Sequence, residues 1–204
     1  MDARIAVLAS GSGTNLQALL EDPFVGPRVA LVASDKPGAY ALERAASRGV
    51  QTVVVEPKDF DSRPGHDAAL LQALQAASTD HVLLAGYMRI LTAGFVRHFE
   101  HRMLNIHPSL LPAFPGAHPV RDALAWGAKV TGVTVHLVDT NVDHGPIVVQ
   151  EPVLILPDDD EESLHRRIQE LEHRMYPRAA RLLVEGRLKV EGRRVHVLDG
   201  GLEG

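Results

Sequence analysis

Ile5-Ala6-Val7-Leu8-Ala9-Ser10 runs directly into Gly11-Ser12-Gly13-Thr14-Asn15. The first six residues read as a strand that is apolar on nearly every position. Strands of that kind are covered on both faces, as in a parallel sheet. The glycines then mark a tight turn, and Asn15–Glu21 reads as the helix that follows it. At such a junction, backbone N–H groups and the positive end of the helix can hold a phosphate. Gly11 and Gly13 let a ligand approach the backbone, and Ser12, Thr14 and Asn15 add side-chain donors. The same residues also suit a plain turn in which Thr14 or Asn15 caps the helix.

Working outward, the pattern repeats. Arg28–Ser34, Gln51–Glu56 and His81–Gly86 are further apolar runs, and Tyr40–Arg48 and His66–Ala77 read as helices between them. Ala69, Leu70, Ala73, Leu74 and Ala77 recur at helical spacing. Strand–helix–strand units of this length predict right-handed crossovers. The fold class expected is α/β, an open doubly wound, mostly parallel sheet with helices on both faces.

The second half is less regular. Met103–Ile106 reads as a short strand ending at His107-Pro108. Pro108, Pro112, Pro115 and Pro119 mark a loop, and Val120–Trp126 a short helix. Thr131–Val138 alternates, which predicts a strand exposed on one face. Ile147–Ile155 reads as a strand interrupted at Pro152. Leu164, Ile168, Leu171 and Met175 mark a helix from Glu161 to Tyr176, broken at Pro177, with Ala179–Val184 continuing or restarting it. Asp158–Glu162 places acids at its start, where the helix dipole favours them. Gly186, Gly192, Gly200, Gly201 and Gly204 punctuate the tail, whose end is expected to be loose.

The composition excludes several functions. Among 204 residues there are 21 Lys plus Arg and 26 Asp plus Glu, a net charge of −5. That balance argues against wrapping a nucleic acid, which needs a broad basic face. There is no cysteine, which rules out disulfides, thiolate zinc, iron–sulfur clusters and a cysteine nucleophile. No apolar run approaches the length of a membrane span, and Ile5–Ala9 is too short for a secretory signal. A cytoplasmic protein acting on small molecules, without nucleic acid or membrane partners, is the expectation. Monomer and homodimer both stay open.

Asn105 and His107 stand two apart at the end of a strand, so both point to one face. Together they offer a neutral N–H donor and an imidazole, a pair suited to an oxyanion developing at an attacked carbonyl. Either residue alone would suit a capped strand end. Asp139-Thr140-Asn141-Val142-Asp143-His144-Gly145-Pro146 is a polar loop between strands. An aspartate there could close the turn, hold a nearby imidazole as its cation, or accept a proton from an amine. His136 could join that group. His144 beside Asp143 invites a metal reading, but with scattered histidines and no cysteine the expectation is no metal. Gly11-x-Gly13 with Asp35 about twenty residues on also invites a dinucleotide reading. Leu16 at the third glycine position opposes it.

Four stretches resemble the phosphoribosylglycinamide formyltransferase family of folate-dependent enzymes. They are Gly11–Gln17, Gly86–Leu91, Asn105–Pro112 and Asp143–Ile147. The resemblance runs in order from residue 4 to about 190. It implies a single Rossmann-like formyltransferase domain over 1–204. Residues 1–100 would be the phosphate-binding half, and 101–204 the folate-binding and catalytic half. It implies transfer of a formyl group from 10-formyltetrahydrofolate, as co-substrate, to the amine of 5'-phosphoribosylglycinamide in purine synthesis. Asn105, His107 and Asp143 would be the catalytic set. Gly13, Thr14, Asn15 and Glu172 would bind the phosphoribosylglycinamide. Arg63, Met88, Arg89, Ile90, Leu91, Asn105, Asp139, Thr140, Asn141, Val142 and Asp143 would bind the folate. Two departures stand out: His118-Pro119-Val120-Arg121 replaces a His-Thr-His-Arg run, and His144 stands where many members have glycine. A formyltetrahydrofolate hydrolase would be expected to carry an N-terminal regulatory domain, and a methionyl-tRNA formyltransferase a C-terminal basic one. A non-catalytic sensor of a phosphorylated precursor would leave the catalytic set idle.

Overall fold

The computed structural model describes residues 3–198. The expected looseness at Gly200, Gly201 and Gly204 falls outside them. The elements run β1 (Ile5–Leu8), α1 (Thr14–Glu21), β2 (Val29–Ser34), α2 (Tyr40–Ser47), β3 (Gln51–Val54), α3 (Arg63–Ala76), β4 (His81–Leu84), α4 (Ala93–His98) and β5 (Met103–His107). Then come α5 (Pro119–Trp126), β6 (Val130–Leu137), β7 (Ile147–Leu154), α6 (Glu161–Val184), β8 (Leu188–Glu191) and β9 (Arg194–Val197). One sheet has the order β3-β2-β1-β4-β5-β6-β7-β9-β8. From β3 to β5 all neighbours are parallel, and β6 is antiparallel to both β5 and β7.

The alternation within β1 explains the two helical layers. Ile5 and Val7 pack into a core with Leu16 and Leu19 of α1, Ala41 of α2 and Ile168 and Met175 of α6. Ala6 and Leu8 face the other way, onto Leu70 and Leu74 of α3 and Phe95 and Val96 of α4. Successive strand residues point to opposite faces, so an all-apolar strand needs both layers.

Three expectations are corrected. β6 is buried on both faces rather than half exposed. The loop after β5 lies across its outer face: the Thr134 hydroxyl donates to the Ser109 carbonyl at 2.6 Å and accepts from Leu111 N at 3.1 Å. Pro152 does not interrupt β7, and pairs in register with Gly132. Beyond Ile147, β7 has no partner on its other side among the described residues, and such an edge tolerates proline. Pro177 does not break α6, which runs unbroken for 24 residues. A proline inside a helix costs about 3 kcal/mol. Burial of Leu171, Met175, Tyr176, Ala179, Ala180 and Leu183 around it offsets that cost. The Tyr176 hydroxyl also donates to the Leu84 carbonyl at 2.8 Å, tying the helix to β4 at this level.

Ahead of the tail's end, β8 and β9 form a hairpin around Gly192-Arg193. A two-residue loop opening on glycine between alternating segments is the hairpin signal. It stood in the sequence at Leu188–Val197.

Candidate active site

The chain order reverses where β1 lies between β2 and β4. Ligands of open α/β sheets bind outside the carboxyl ends of the strands at such a point. A cleft of about 780 Å³ opens there. Its floor is the turn after β1 together with the turn after β4. Ser10 N donates to the Gly86 carbonyl at 3.1 Å. The Ser10 hydroxyl donates to Asp35 Oδ1 at 2.5 Å and accepts from Met88 N at 2.8 Å. Asp35 is therefore committed to holding the two turns together.

Gly13 begins α1 with φ of +71° and no side-chain cap. A Cβ on it would come within 2.8 Å of Ala41, so only glycine fits. Neither Thr14 nor Asn15 is the cap. The first-turn N–H groups of α1 thus have no side-chain acceptor of the protein's own. Asn15 instead donates from Nδ2 to Glu172 Oε2 at 3.0 Å, across 157 residues, and its Oδ1 is buried without a partner. Glu172 is only 5% exposed. Burial pushes its carboxyl up to about 7, only partly countered by the Asn15 hydrogen bond.

This has a measurable consequence. Glu172 binds its proton more tightly in the folded chain than in the unfolded one. Its contribution to stability is complete below the unfolded value and falls as pH rises towards about 7. A rise of that size corresponds to about 3 kcal/mol. Glu172→Gln should remove this component. Thermal unfolding at about pH 5 and about pH 8 should show the parent losing more stability than the variant over that interval. Equal losses would show that Glu172 does not carry a raised value.

Asn105 and His107 project from β5 into the same cleft as Asp143. Asp143 holds φ of +50°, a conformation rare outside glycine but tolerated by Asp and Asn. Its carboxylate is the hub of the cluster. Oδ2 accepts from Gly116 N at 2.8 Å and lies 3.5 Å from His107 Nδ1. Oδ1 accepts from Asn105 Nδ2 at 3.4 Å and lies 3.9 Å from His136 Nε2. His107 Nε2 donates to the Phe114 carbonyl at 2.9 Å, so both ring nitrogens face oxygen acceptors. His136 Nδ1 donates to the Leu137 carbonyl at 2.8 Å, and Nε2 accepts from Asn105 Nδ2 at 3.2 Å. Burial lowers the His136 imidazole below its usual range, partly opposed by that carbonyl and by Asp143. A neutral His136 therefore orients the Asn105 amide. His136 thus joins the group as its sequence position suggested, as the direct register partner of Asn105.

Asp143 arrives on the loop between β6 and β7, which must turn sharply back. A Cβ on Gly145 would lie 1.7 Å from the Leu137 carbonyl, so the loop closes only with glycine there. Within it, His144 Nδ1 pairs with Asp139 Oδ2 at 2.7 Å. Arg193, at the tip of the β8–β9 hairpin, donates to the His144 carbonyl at 2.7 Å. No group of three or more His, Asp or Glu is placed to hold a metal among the described residues. Nor is any helix among them long and apolar enough to cross a membrane.

The far wall is apolar. Met88 and Ile90 are 64% and 60% exposed, Val142 opposite them is 55% exposed, and Leu91 joins them. Arg89, Asp139, Thr140 and Asn141 complete this end of the cleft. Gly13, Thr14, Asn15 and Glu172 line the other end. Arg63 is not in the cleft wall. Ser62 caps α3 by accepting from Gly65 N, which places Arg63 in the exposed first turn of that helix. His118, of the run His118–Arg121, also lines the cleft, as do Lys36, His165 and Gln169, which no motif in the sequence singled out.

Residues 3–180 match the family model described as formyl transferase. The chain is 51% identical over 188 residues to the trifunctional purine biosynthetic protein adenosine-3 of Drosophila melanogaster, covering 90% of this chain and 14% of that protein. It thus spans about a seventh of that relative's length. It is 47% identical over 204 residues to phosphoribosylglycinamide formyltransferase of Mycobacterium tuberculosis, covering 96% of this chain and 94% of the relative. The crystal structure of glycinamide ribonucleotide transformylase 1 from Symbiobacterium toebii superposes with a TM-score of 0.93 at 53% identity. That match covers 97% of this chain and 94% of the other. By the extent of these matches and by its fold, the chain belongs to the formyl transferase family.

Proposed function

We propose that the protein transfers the formyl group of 10-formyltetrahydrofolate to the amine of 5'-phosphoribosylglycinamide, as a cytoplasmic step of purine synthesis. One observation carries this reading: Asn105, His107 and Asp143 meet in the cleft whose other end is the uncapped turn at Gly11–Asn15. The turn takes the ribose phosphate through its backbone N–H groups. Asn15 and Glu172 take the glycinamide end. The buried, unpartnered Asn15 Oδ1 fits an N–H donor, and an amine beside Glu172 favours its carboxylate. Met88, Ile90, Leu91 and Val142 give a flat aromatic ring system an apolar bed. Arg89 and the Asp139–Asp143 loop frame it.

The two substrates lie side by side and react directly, so proximity supplies much of the acceleration. The amine nitrogen forms a bond to the formyl carbon and the carbonyl becomes an oxyanion. Asn105 and His107 donate hydrogen bonds to it. For this the Phe114 carbonyl gives up its hold on His107 Nε2, and Asp143 Oδ1 gives up the longer of the two Asn105 Nδ2 hydrogen bonds. Asp143 assists loss of the amine proton. The bond from the formyl carbon to the folate nitrogen then breaks, and His107 delivers a proton to that nitrogen. One proton leaves the acceptor amine and one reaches the donor nitrogen, so the transfer balances without a covalent enzyme intermediate.

The test mixes the protein with 10-formyltetrahydrofolate and glycinamide ribonucleotide and follows the folate absorbance. A change that requires the acceptor supports transfer. A change without it assigns a deformylase, and no change assigns a binding module. Asn15→Ala should raise the KM for the phosphorylated substrate on the order of tenfold, the loss of about one good hydrogen bond. An unchanged KM would place that substrate elsewhere.

A further inference from the structure

We propose that Lys36 is a substrate-binding residue of this cleft, its ammonium neutralising the phosphate held on the Gly11–Asn15 turn. The assignment rests on the reading given under Proposed function. A phosphate at that turn is a dianion. The turn supplies backbone N–H groups, the hydroxyls of Ser12 and Thr14 and the partial charge of an eight-residue helix, which balance only part of it; Arg44, which donates to the Ser12 carbonyl at 2.8 Å, lies outside the cleft wall. The cleft wall contains two permanent cations, Lys36 and Arg89. Lys36 belongs to the segment that leaves β2 at Ser34 and packs on the turn itself. Ala41 N donates to the Gly11 carbonyl at 3.1 Å, and Ala41 leaves no room for a Cβ on Gly13.

The neighbouring charges leave Lys36 available. Asp35, the adjacent carboxylate, is engaged by the Ser10 hydroxyl at 2.5 Å. Lys36 makes no ion pair among the described residues, unlike Lys58 with Glu56 and Lys189 with Glu191. Lys36 N accepts its fixed place by donating to Ser34 Oγ at 3.1 Å, so the backbone is anchored while the side chain lies exposed on the cleft wall. An unpaired ammonium beside an uncapped helix start is an arrangement that a phosphate completes. As a point charge on a flexible stem, lysine suits a phosphate that must enter and leave.

The test is steady-state kinetics of Lys36→Ala and Lys36→Arg. Lys36→Ala should raise the KM for glycinamide ribonucleotide on the order of tenfold, with kcat and the KM for 10-formyltetrahydrofolate within about twofold. Lys36→Arg should recover most of the loss. Raising the salt concentration should raise that KM in the parent and much less in Lys36→Ala, because a screened contact is already gone. With the unphosphorylated glycinamide riboside, parent and Lys36→Ala should have equal kcat/KM. A KM for the ribonucleotide unchanged in Lys36→Ala, or an equal penalty on the riboside, would overturn the assignment. Should the parent transfer no formyl group, the proposed function fails by itself. Calorimetric titration with ribose 5-phosphate then decides on Lys36: weaker binding by Lys36→Ala upholds it, and equal binding overturns it.

Discussion

Asp143→Asn is expected to lower kcat roughly a thousandfold, within the range that one positioned proton-transfer group supplies. The substitution keeps size, shape and the left-handed backbone conformation, since asparagine also tolerates φ of +50°. What changes is the polarity of one terminal atom. The carboxylate now accepts from Gly116 N and from Asn105 Nδ2 through different oxygens. An amide can accept at only one of these positions. Its NH₂ must face a donor at the other, so either the Gly116 loop or the Asn105 amide is displaced. The protein also loses the negative charge 3.5 Å from His107 and the base that assists the amine. Binding of each substrate alone should persist, because the turn and the apolar wall are untouched. Single-turnover kinetics with separate binding titrations distinguish the two effects. A variant turning over within tenfold of the parent would remove Asp143 from the mechanism.

His107→Ala and Asn105→Ala should each reduce kcat at least roughly a hundredfold, the usual cost of a lost oxyanion donor. Their KM values should move by a few-fold only, the mark of interactions made mainly in the transition state. The two routes differ in structure. His107→Ala frees the Phe114 carbonyl and with it the loop between β5 and α5. Asn105→Ala leaves that loop in place but removes the donor that satisfies His136 Nε2. Thermal unfolding of both variants establishes that folded enzymes are being compared. Near-parental turnover in either folded variant would delete that residue's role.

Much of this architecture was legible because its signals are local. An all-apolar strand such as β1, followed by a glycine turn, requires cover on both faces, and strands alternating with helices predict a doubly wound sheet, although its edge strand β3 is largely exposed. Asn105 and His107 share a face because a strand has period two. The errors arose where a local rule met a distant partner. Pro177 reads as a helix end, yet α6 passes through it because the sheet holds the helix on both sides of that residue. β6 reads as half exposed, yet the loop from Ser109 to Leu111 covers it.

The sequence by itself determined the alternating strands and helices, the glycine-rich turn after β1 and the paired donors on β5, since each depends on residues within a few positions of one another. Only the tertiary structure decided that Asp143 reaches those donors, that Glu172 meets Asn15 and that Lys36 joins the cleft wall. Those meetings depend on the path of loops and on sheet order. Periodicity describes which way a side chain leaves its own element, but carries no information on which element, dozens of residues away, will be packed opposite it.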